Sequence, residues 1–420
     1  MANYSRPKGT QDILPEDQSY WEYLRAQVTQ AAQSYGFDRI DTPIFESTEV
    51  FARGVGQGTD IVDKEMYTFR DKGDRSMTLR PEFTAGVMRA YIENGMRVQP
   101  KPIKLYSIGP AFRYEEPQAG RYRQLHQLNA EIVGIQSPLA DLEIMLLAWD
   151  IYEGLEFQKL SFQVNSTGCP QCRPGYVSEL QTHYHEHLDE ICEDCRRRID
   201  ENPLRVLDCK EPQCQPVIES APKITEMLCK ECAEHFTELR GYLDDLDKPY
   251  TINPRLVRGL DYYTKTVFEV WAENIGAQSA VCGGGRYDGL VELLGGQPTP
   301  AVGFALGMER AVIVMKEQDV EPPSLPKPEV FIAYLGDEAR TYSVRLLVKL
   351  RQVGIRTQIA MRGSLRSQLR TADKQQARMA LIIGDNEIAE GVMTVRDLRS
   401  GDQAGIPIDD LITELQNRLA

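Results

Sequence analysis

Long apolar runs are missing from this chain. No stretch of about 18 apolar residues occurs in its 420, so no membrane-spanning helix is expected. The opening Met1-Ala-Asn-Tyr-Ser-Arg-Pro-Lys-Gly-Thr10 lacks the apolar segment of a secretory leader, so a cytoplasmic protein is the expectation. Positive charge is in deficit. The formal net charge of -14 argues against wrapping nucleic acid over the whole surface, but it permits a local basic face. Also missing are GxSxG, HExxH and any Ser-His-Asp pattern, so no side-chain nucleophile is indicated. The run Gly283-Gly-Gly285 is not a P-loop, because no Lys-Ser/Thr follows it. It suits a pocket wall, together with Arg286, Tyr287 and Asp288. There is no internal repeat and no low-complexity tract.

What is present suits a folded protein of several domains. The chain is 42% hydrophobic and 26% charged, as globular domains are, and it is too long for one ordinary core. Glu321-Pro-Pro-Ser-Leu-Pro-Lys-Pro328 cannot continue a helix and reads as an extended linker. Beyond it, strands at Val330–Leu335, Arg356–Ala360 and Met379–Ile383 alternate with helices at Thr341–Val353, at Ser364–Lys374 and from Ile408. That alternation predicts a small α/β layer domain. Val344, Leu347, Val348 and Leu350 form the predicted apolar stripe of its first helix. From Arg340 to Arg378 ten basic residues are opposed by Asp373 alone. A solvated helix surface normally mixes both signs, so this block favours a polyanionic partner. The section before the linker reads as α+β. A helix from Gln18 to Tyr35 is closed by Gly36, and strand-like runs follow that suit a mostly antiparallel sheet flanked by helices.

Four segments carry the chemistry. Leu256-Val-Arg-Gly-Leu-Asp-Tyr-Tyr-Thr264 puts Arg258 within five residues of Tyr262 and Tyr263. A guanidinium suits phosphate or carboxylate, and a phenol offers a flat wall with one polar tip. Together they describe a pocket for a small ring next to an anion. The alternative is a buried strand whose Arg is paired and whose tyrosines are core. In Ala111-Phe-Arg-Tyr-Glu-Glu-Pro117 and Gln124-Leu-His-Gln-Leu-Asn-Ala-Glu-Ile-Val-Gly134, strand alternation puts Arg113 and Glu115 on one face. It also groups Gln127, Asn129 and Glu131, with Leu128, Ala130 and Ile132 turned to a core. The loop between, Gln118-Ala-Gly-Arg-Tyr-Arg123, offers Arg121 and Arg123 to phosphates, or is an exposed hairpin. In Thr78-Leu-Arg-Pro-Glu-Phe-Thr84, Glu82 suits an ammonium group, a helix N-terminus, or both. In Ala301-Val-Gly-Phe-Ala-Leu-Gly-Met-Glu-Arg310, Arg310 emerges from an apolar helix start and needs an anionic ligand or a carboxylate partner.

Eight of the nine cysteines form four chelating pairs: Cys169 with Cys172, Cys192 with Cys195, Cys209 with Cys214, and Cys229 with Cys232. Eight thiolates match two tetrahedral zinc sites of four cysteines each, though spacing does not say which pairs combine. Reduced thiols in a helical insertion are the alternative. His183, His185 and His187 are nearby substitutes as ligands, or surface histidines.

Taken in order, these segments resemble the histidyl-tRNA synthetases, a class II aminoacyl-tRNA synthetase family. Leu256–Thr264 and Cys282-Gly-Gly-Gly-Arg-Tyr-Asp-Gly-Leu290 look like that family's two signatures. Tyr35-Gly-Phe-Asp-Arg-Ile-Asp-Thr-Pro43, the Arg113 segment and the Arg310 segment resemble class II motifs 1, 2 and 3. The resemblance implies a class II antiparallel catalytic domain over residues 1–320, with a Cys-rich insertion at about 168–250 and an α/β anticodon-binding domain over 329–420. It implies a homodimer formed through motif 1, ATP with Mg2+, L-histidine and tRNA(His). Arg113 would hold the α-phosphate, Glu115 and Arg121 would contact the nucleotide, and Arg310 would grip the γ-phosphate. Arg258 would take the place that a metal ion has in related sites. Histidine would be bound by Glu82, Phe83, Thr84, Gln127, Glu131, Tyr262 and Tyr263, with Glu82 and Thr84 on its amino group. The competing reading is a non-catalytic, histidine-sensing regulatory subunit of ATP phosphoribosyltransferase. Such proteins typically lack the anticodon-binding domain and lose the phosphate-holding arginines. Arg113, Arg258, Arg310 and the basic C-terminal section therefore favour the enzyme.

Overall fold

A computed structural model of the chain describes residues 4–56, 59, 61–116, 120–260, 262–272 and 280–419. The first three residues, Pro117 to Ala119 of the arginine-bearing loop, and Asp261 lie outside them. The chain divides into two compact units, Met1–Pro323 and Ser324–Ala420, and the division falls within the proline-rich stretch.

In the first unit, helix α1 (Gln18–Ser34) buries Trp21, Leu24, Val28 and Ala32, a spacing that keeps one face turned to the core. Tyr35 caps it, and Gly36 follows at φ +73°, the left-handed turn that a glycine supplies without strain. The centre is an eight-stranded sheet. Its strands are β1 (Asp38–Arg39), β2 (Ile103–Phe112), β3 (Gln124–Val133), β4 (Leu160–Ser166), β5 (Tyr250–Ile252), β6 (Thr264–Ala272), β7 (Ala280–Arg286) and β8 (Ala301–Gly307). They lie in the order β1-β2-β3-β8-β7-β6-β4-β5. The interior pairs are antiparallel, and the two edge pairs, β1 with β2 and β4 with β5, are parallel.

The two faces of this sheet have opposite characters. Leu128, Ala130 and Ile132 of β3 and Val302, Phe304 and Leu306 of β8 point into one core, which α1 and helices α3 (Pro138–Gly154) and α5 (Met308–Glu317) cover. The other face carries Gln127, Asn129 and Glu131. Helix α2 (Thr84–Glu93) and the loop before β6 close over that side with Phe83, Val87, Met88, Tyr262, Tyr263 and Tyr287. The expected alternation in β3 therefore holds. For Arg113 and Glu115 it does not apply, because β2 ends at Phe112 and both residues sit in the irregular segment beyond it.

Two buried charges tie the layers together. Arg286, at the end of β7, donates to Asp141 Oδ2 of α3 at 2.7 Å, and both side chains are fully buried. Arg286 also reaches the carbonyls of Ile135 and Ser137 and Asp288 Oδ1. His235 of helix α4 (Lys230–Asp245) lies 3.1 Å from the same Asp141 oxygen. Burial alone would raise the Asp141 pKa, but Arg286 and His235 outweigh it and hold the carboxyl below its ordinary value. Arg286 is thus a brace between layers and not part of a pocket wall, which corrects the expectation for it.

Between β4 and β5 the chain leaves the sheet for a helical excursion that contains the paired cysteines. Tyr176, Leu180, Tyr184, Ile191 and Ile199 form part of its own small core.

The second unit is a five-stranded mixed sheet of β9 (Val330–Leu335), β10 (Thr357–Ile359), β11 (Met379–Gly384), β12 (Val392–Asp397) and β13 (Gln403–Pro407), in the order β10-β9-β11-β12-β13. Helix α6 (Asp337–Gln352) begins four residues earlier than expected. Its buried line is Ala339, Ser343, Leu346 and Leu350, whereas Val344 and Val348 are 52% and 49% exposed. The predicted stripe holds for Leu350 and partly for Leu347 but fails for the two valines, because a small and a polar residue occupy core positions in their stead. Helix α7 (Leu365–Lys374) starts at Ser364, whose Oγ accepts from Ser367 N. Helix α8 (Leu411–Leu419) closes the unit. The basic block does not form one face. Val330 and Ile332 pack with Leu346 and Leu350 of α6, while the intervening Phe331 and Ala333 pack with Ala372 of α7. The two helices therefore cover opposite sides of the sheet and divide the cations between them. Arg366, Arg370 and Lys374 make an exposed i, i+4, i+8 stripe on α7, while Arg351 and Arg378 donate to the carbonyls of Thr357 and Leu419.

Candidate functional site

The polar face of the large sheet is floored by very small residues. Strand pairing sets Glu131 beside Gly303 and Gly303 beside Gly285. One step along, it sets Asn129, Ala305, Gly283 and Glu269 in a second row. Side chains from elsewhere lie across this floor. A Cβ at Gly283 would collide with the Arg258 guanidinium, and one at Gly303 with the Glu131 carboxylate. The glycines are thus a consequence of close approach.

Over the first row lies a buried polar pocket. Glu131 accepts from Thr84 Oγ1 at 2.7 Å and from the Tyr287 hydroxyl. Tyr262 and Tyr263, both buried, stand beside Tyr287, with ring centroids 5.4 and 6.4 Å from it. Glu82 accepts from the backbone N–H groups of Thr84 and Ala85 at 2.6 and 2.9 Å, so it also caps α2. The Phe83 ring is buried under the Arg80 guanidinium, 3.9 Å from its centroid, and anchors the residues on either side of it. Gln127 is buried, and its Oε1 has no hydrogen-bond partner among the described residues. A buried acceptor of this kind is costly until a ligand donates to it.

Burial pushes the Glu131 carboxyl up to about 8, against the opposing hydrogen bonds from Tyr287 and Thr84. A carboxyl whose folded pKa exceeds its ordinary value favours folding while protonated. That contribution is complete below about 4.5 and is lost as pH rises through about 8. Glu131→Gln should therefore match the parent near pH 4.5 and exceed its melting temperature by several degrees at pH 8.5. Thermal scans at both pH values check this; an equal offset at both would remove Glu131 as the source.

Along the second row is a cavity of about 270 Å3 whose lining includes Arg113, Arg121, Arg258, Arg310 and Glu269. Arg113 donates through Nε to Pro81 O at 2.9 Å and lies 3.7 Å from Glu115, which in turn is 3.8 Å from Arg121. Arg258 pairs with Glu269 at 2.5 Å. Burial disfavours the Arg258 cation, but Tyr263 and Glu269 more than offset this and keep it charged. The paired-arginine alternative is thus half right: the pair exists, and it still faces the cavity. Glu309 accepts from His126 N and sits 2.8 Å from His126 Nδ1, which fixes the start of α5 and with it the neighbouring Arg310. Four guanidinium groups around one small space, moderated by two carboxylates, make a site for a polyanion. Glu269 and the Tyr287–Glu131 contact were not read from the sequence; both depend on which strands become neighbours.

The cysteines form two groups in the structure: Cys169, Cys172, Cys229 and Cys232, and Cys192, Cys195, Cys209 and Cys214. The pairing that spacing left open is therefore first with fourth and second with third. Sulfur separations are 3.8, 3.7 and 3.9 Å in one group and 3.9 and 3.9 Å in the other. Four thiolates about 2.3 Å from a tetrahedral zinc would be about 3.8 Å apart, so both groups fit that ion. The neighbouring histidines are engaged elsewhere: His183 with Val217 O, His187 with His183 O and His185 with Asp200.

Comparison with known proteins agrees with this geometry. A family model for histidyl-tRNA synthetase matches residues 9–171 and 178–311, and one for an anticodon-binding domain matches 329–418. The chain is 50% identical over 406 residues to a histidine–tRNA ligase of Desulfitobacterium hafniense, covering 96% of each chain. It is 48% identical over 417 residues to that of Dehalococcoides mccartyi, covering 99% of this chain and 100% of the other. The crystal structure of apo histidyl-tRNA synthetase from S. aureus superposes with a TM-score of 0.84 at 39% identity, covering 99% and 100% of the two chains. A family model that matches most of the first unit, and relatives half identical over nearly the whole length, show that this chain belongs to the histidyl-tRNA synthetase family.

Proposed function

We propose that the chain is a histidine–tRNA ligase working in two steps. In the first, a carboxylate oxygen of L-histidine attacks the α-phosphorus of ATP, the bond to the β-phosphate breaks, and pyrophosphate leaves. In the second, a terminal ribose hydroxyl of tRNA(His) attacks the carbonyl carbon of the adenylate, loses its proton, and displaces AMP. The observation that carries the reading is the juxtaposition of a four-arginine cavity with a buried pocket of Glu82, Gln127, Glu131 and three tyrosines on one sheet face. Glu82 and Thr84 receive the amino group, and Gln127, Glu131, Tyr262 and Tyr263 receive the rest of the amino acid, with the Phe83 ring holding that wall. Arg113 and Arg258 meet the α-phosphate, and Glu115, Arg121 and Arg310 meet the remainder of the nucleotide. Preorganised guanidinium groups stabilise charge that grows on the phosphoryl oxygens. Mg2+ would be expected with the pyrophosphate portion, and Glu115, beside Arg113 and Arg121, would offer it an oxygen donor. A pocket with ring-nitrogen partners rejects amino acids that leave those partners unpaired.

The second unit would bind the anticodon, and the exposed stripe of Arg366, Arg370 and Lys374 offers contacts to the tRNA backbone. Two zinc ions in the cysteine groups, a homodimer and a cytoplasmic location complete the proposal. The dimer is supported by the exposed Ile44, Phe45 and Phe69 beside the motif 1 segment. Among the described residues no helix is long and apolar enough to cross a membrane.

The test is ATP–pyrophosphate exchange with each amino acid in turn, followed by charging of tRNA(His). Exchange with histidine alone is expected. Folded protein that binds histidine but gives no exchange would move the assignment to a histidine-sensing regulatory subunit.

A further inference from the structure

The two cysteine groups differ in position. The group of Cys169, Cys172, Cys229 and Cys232 closes the root of the excursion, where chain segments 60 residues apart meet. Each knuckle is flanked by residues that grip the segment running out of the tyrosine pocket. Arg173, next to Cys172, donates to Thr167 O and Oγ1 at 2.8 and 2.9 Å and also to the carbonyl of Tyr263. Gly168, next to Cys169, accepts from Lys265 N at 2.7 Å, and Thr167 N donates to Lys265 O at 2.7 Å. Glu231, between Cys229 and Cys232, accepts from Lys265 Nζ at 2.6 Å. His235, three residues beyond Cys232, lies 3.2 Å from Thr266 Oγ1.

Lys265 itself is buried at φ +51°, a backbone state that a lysine keeps only when its surroundings impose it. The surroundings here are the two knuckles. Thiols at van der Waals separation attract each other weakly, so without a metal the two knuckles are tied at this point mainly through Lys265, which pairs with Gly168 on one side and Glu231 on the other. With a metal, four strong bonds clamp them, and the clamp is transmitted to Tyr263 through Arg173 and Lys265.

We infer that the centre of Cys169, Cys172, Cys229 and Cys232 is a structural zinc site that positions Tyr262 and Tyr263, so that zinc occupancy there sets the affinity for histidine. Resting on the ligase reading, the inference makes these residues positioning groups and not catalytic ones. Arg113, Arg121 and Arg310 come from other elements and only Arg258 shares the Tyr263 loop, so ATP affinity should follow the metal much less than histidine affinity does.

Metal analysis of the purified full chain should find two zinc ions per chain, one for each cysteine group. The Cys169→Ser/Cys229→Ser variant should keep one, while its Kd for histidine, read by calorimetry, rises roughly 10-fold or more and its KM for ATP rises much less. Because that variant can fail to fold, Arg173→Ala is the second test. It should keep both zinc ions and still bind histidine several-fold more weakly, on the scale of 10-fold seen for residues that orient metal ligands. Parent protein without zinc would overturn the site, and unchanged histidine affinity in Arg173→Ala would overturn the coupling. Failure of the ligase reading would look different, as parent protein with zinc in place and no histidine-dependent exchange.

Discussion

Arg258→Ala should lower the rate of histidine activation by roughly 10²–10³-fold, equivalent to about 2.7–4 kcal/mol of transition-state stabilisation. Arg258 reaches the cavity from a loop, lies across the Gly283 backbone, and is aimed by Glu269 at 2.5 Å. On the proposed assignment its charge is in place before the reaction, so no reorganisation would accompany the growth of negative charge on the α-phosphate. Removal should therefore act mainly on kcat for ATP–pyrophosphate exchange, with a smaller change in KM for histidine. Arg258→Lys should recover little, because a point charge on a flexible stem does not replace a planar fork held by Glu269. If Arg258 only braced the tyrosine loop, histidine affinity and thermal stability would fall together while kcat at saturation survived. That pattern would remove Arg258 from the reaction.

Asp141→Ala should destabilise the first unit by about 3–5 kcal/mol, the usual consequence of leaving one member of a buried ion pair without its partner. Asp141 and Arg286 are both fully buried, and Arg286 donates to Asp141 through Nε and Nη2. Asp288 and two carbonyls remain to Arg286, which places the expected value toward the lower end. Asp141→Asn keeps an acceptor without the charge and should fall between parent and alanine variant. A shift of the urea midpoint with unchanged slope measures the effect. The Asp141 carboxyl is held below its ordinary value, so its stabilisation is present above that value and is lost as pH falls through the depressed one. The gap between parent and Asp141→Ala should accordingly narrow in acid. An unchanged midpoint in the alanine variant would mean that the pair contributes no net stability.

The local patterns were legible wherever one element reports on itself. Alternation in β3 separated Leu128, Ala130 and Ile132 from Gln127, Asn129 and Glu131 without reference to any other strand. The helix read from Gln18 to Tyr35 and closed by Gly36 matches α1 to within a residue. The prolines of 321–328 marked the stretch within which the two units divide. Hydrophobicity misled in α6, where Ala339 and Ser343 take buried positions and Val344 and Val348 lie on the exposed side. Charge misled in the same unit, because a count along the chain cannot tell which side of a sheet a helix covers.

By itself, then, the sequence determined the residue types of the candidate site and their order along the chain: the arginines, the carboxylates, the tyrosines and the eight cysteines. These follow from local composition and short spacing. Only the tertiary structure decided which of them meet. It put Glu269 on Arg258, Tyr287 on Glu131, Arg286 into a brace with Asp141, and the first cysteine knuckle beside the last. Such contacts join residues far apart in sequence, and they are set by strand order and register. Those depend on the packing of the whole sheet and leave no trace in any short stretch of the chain.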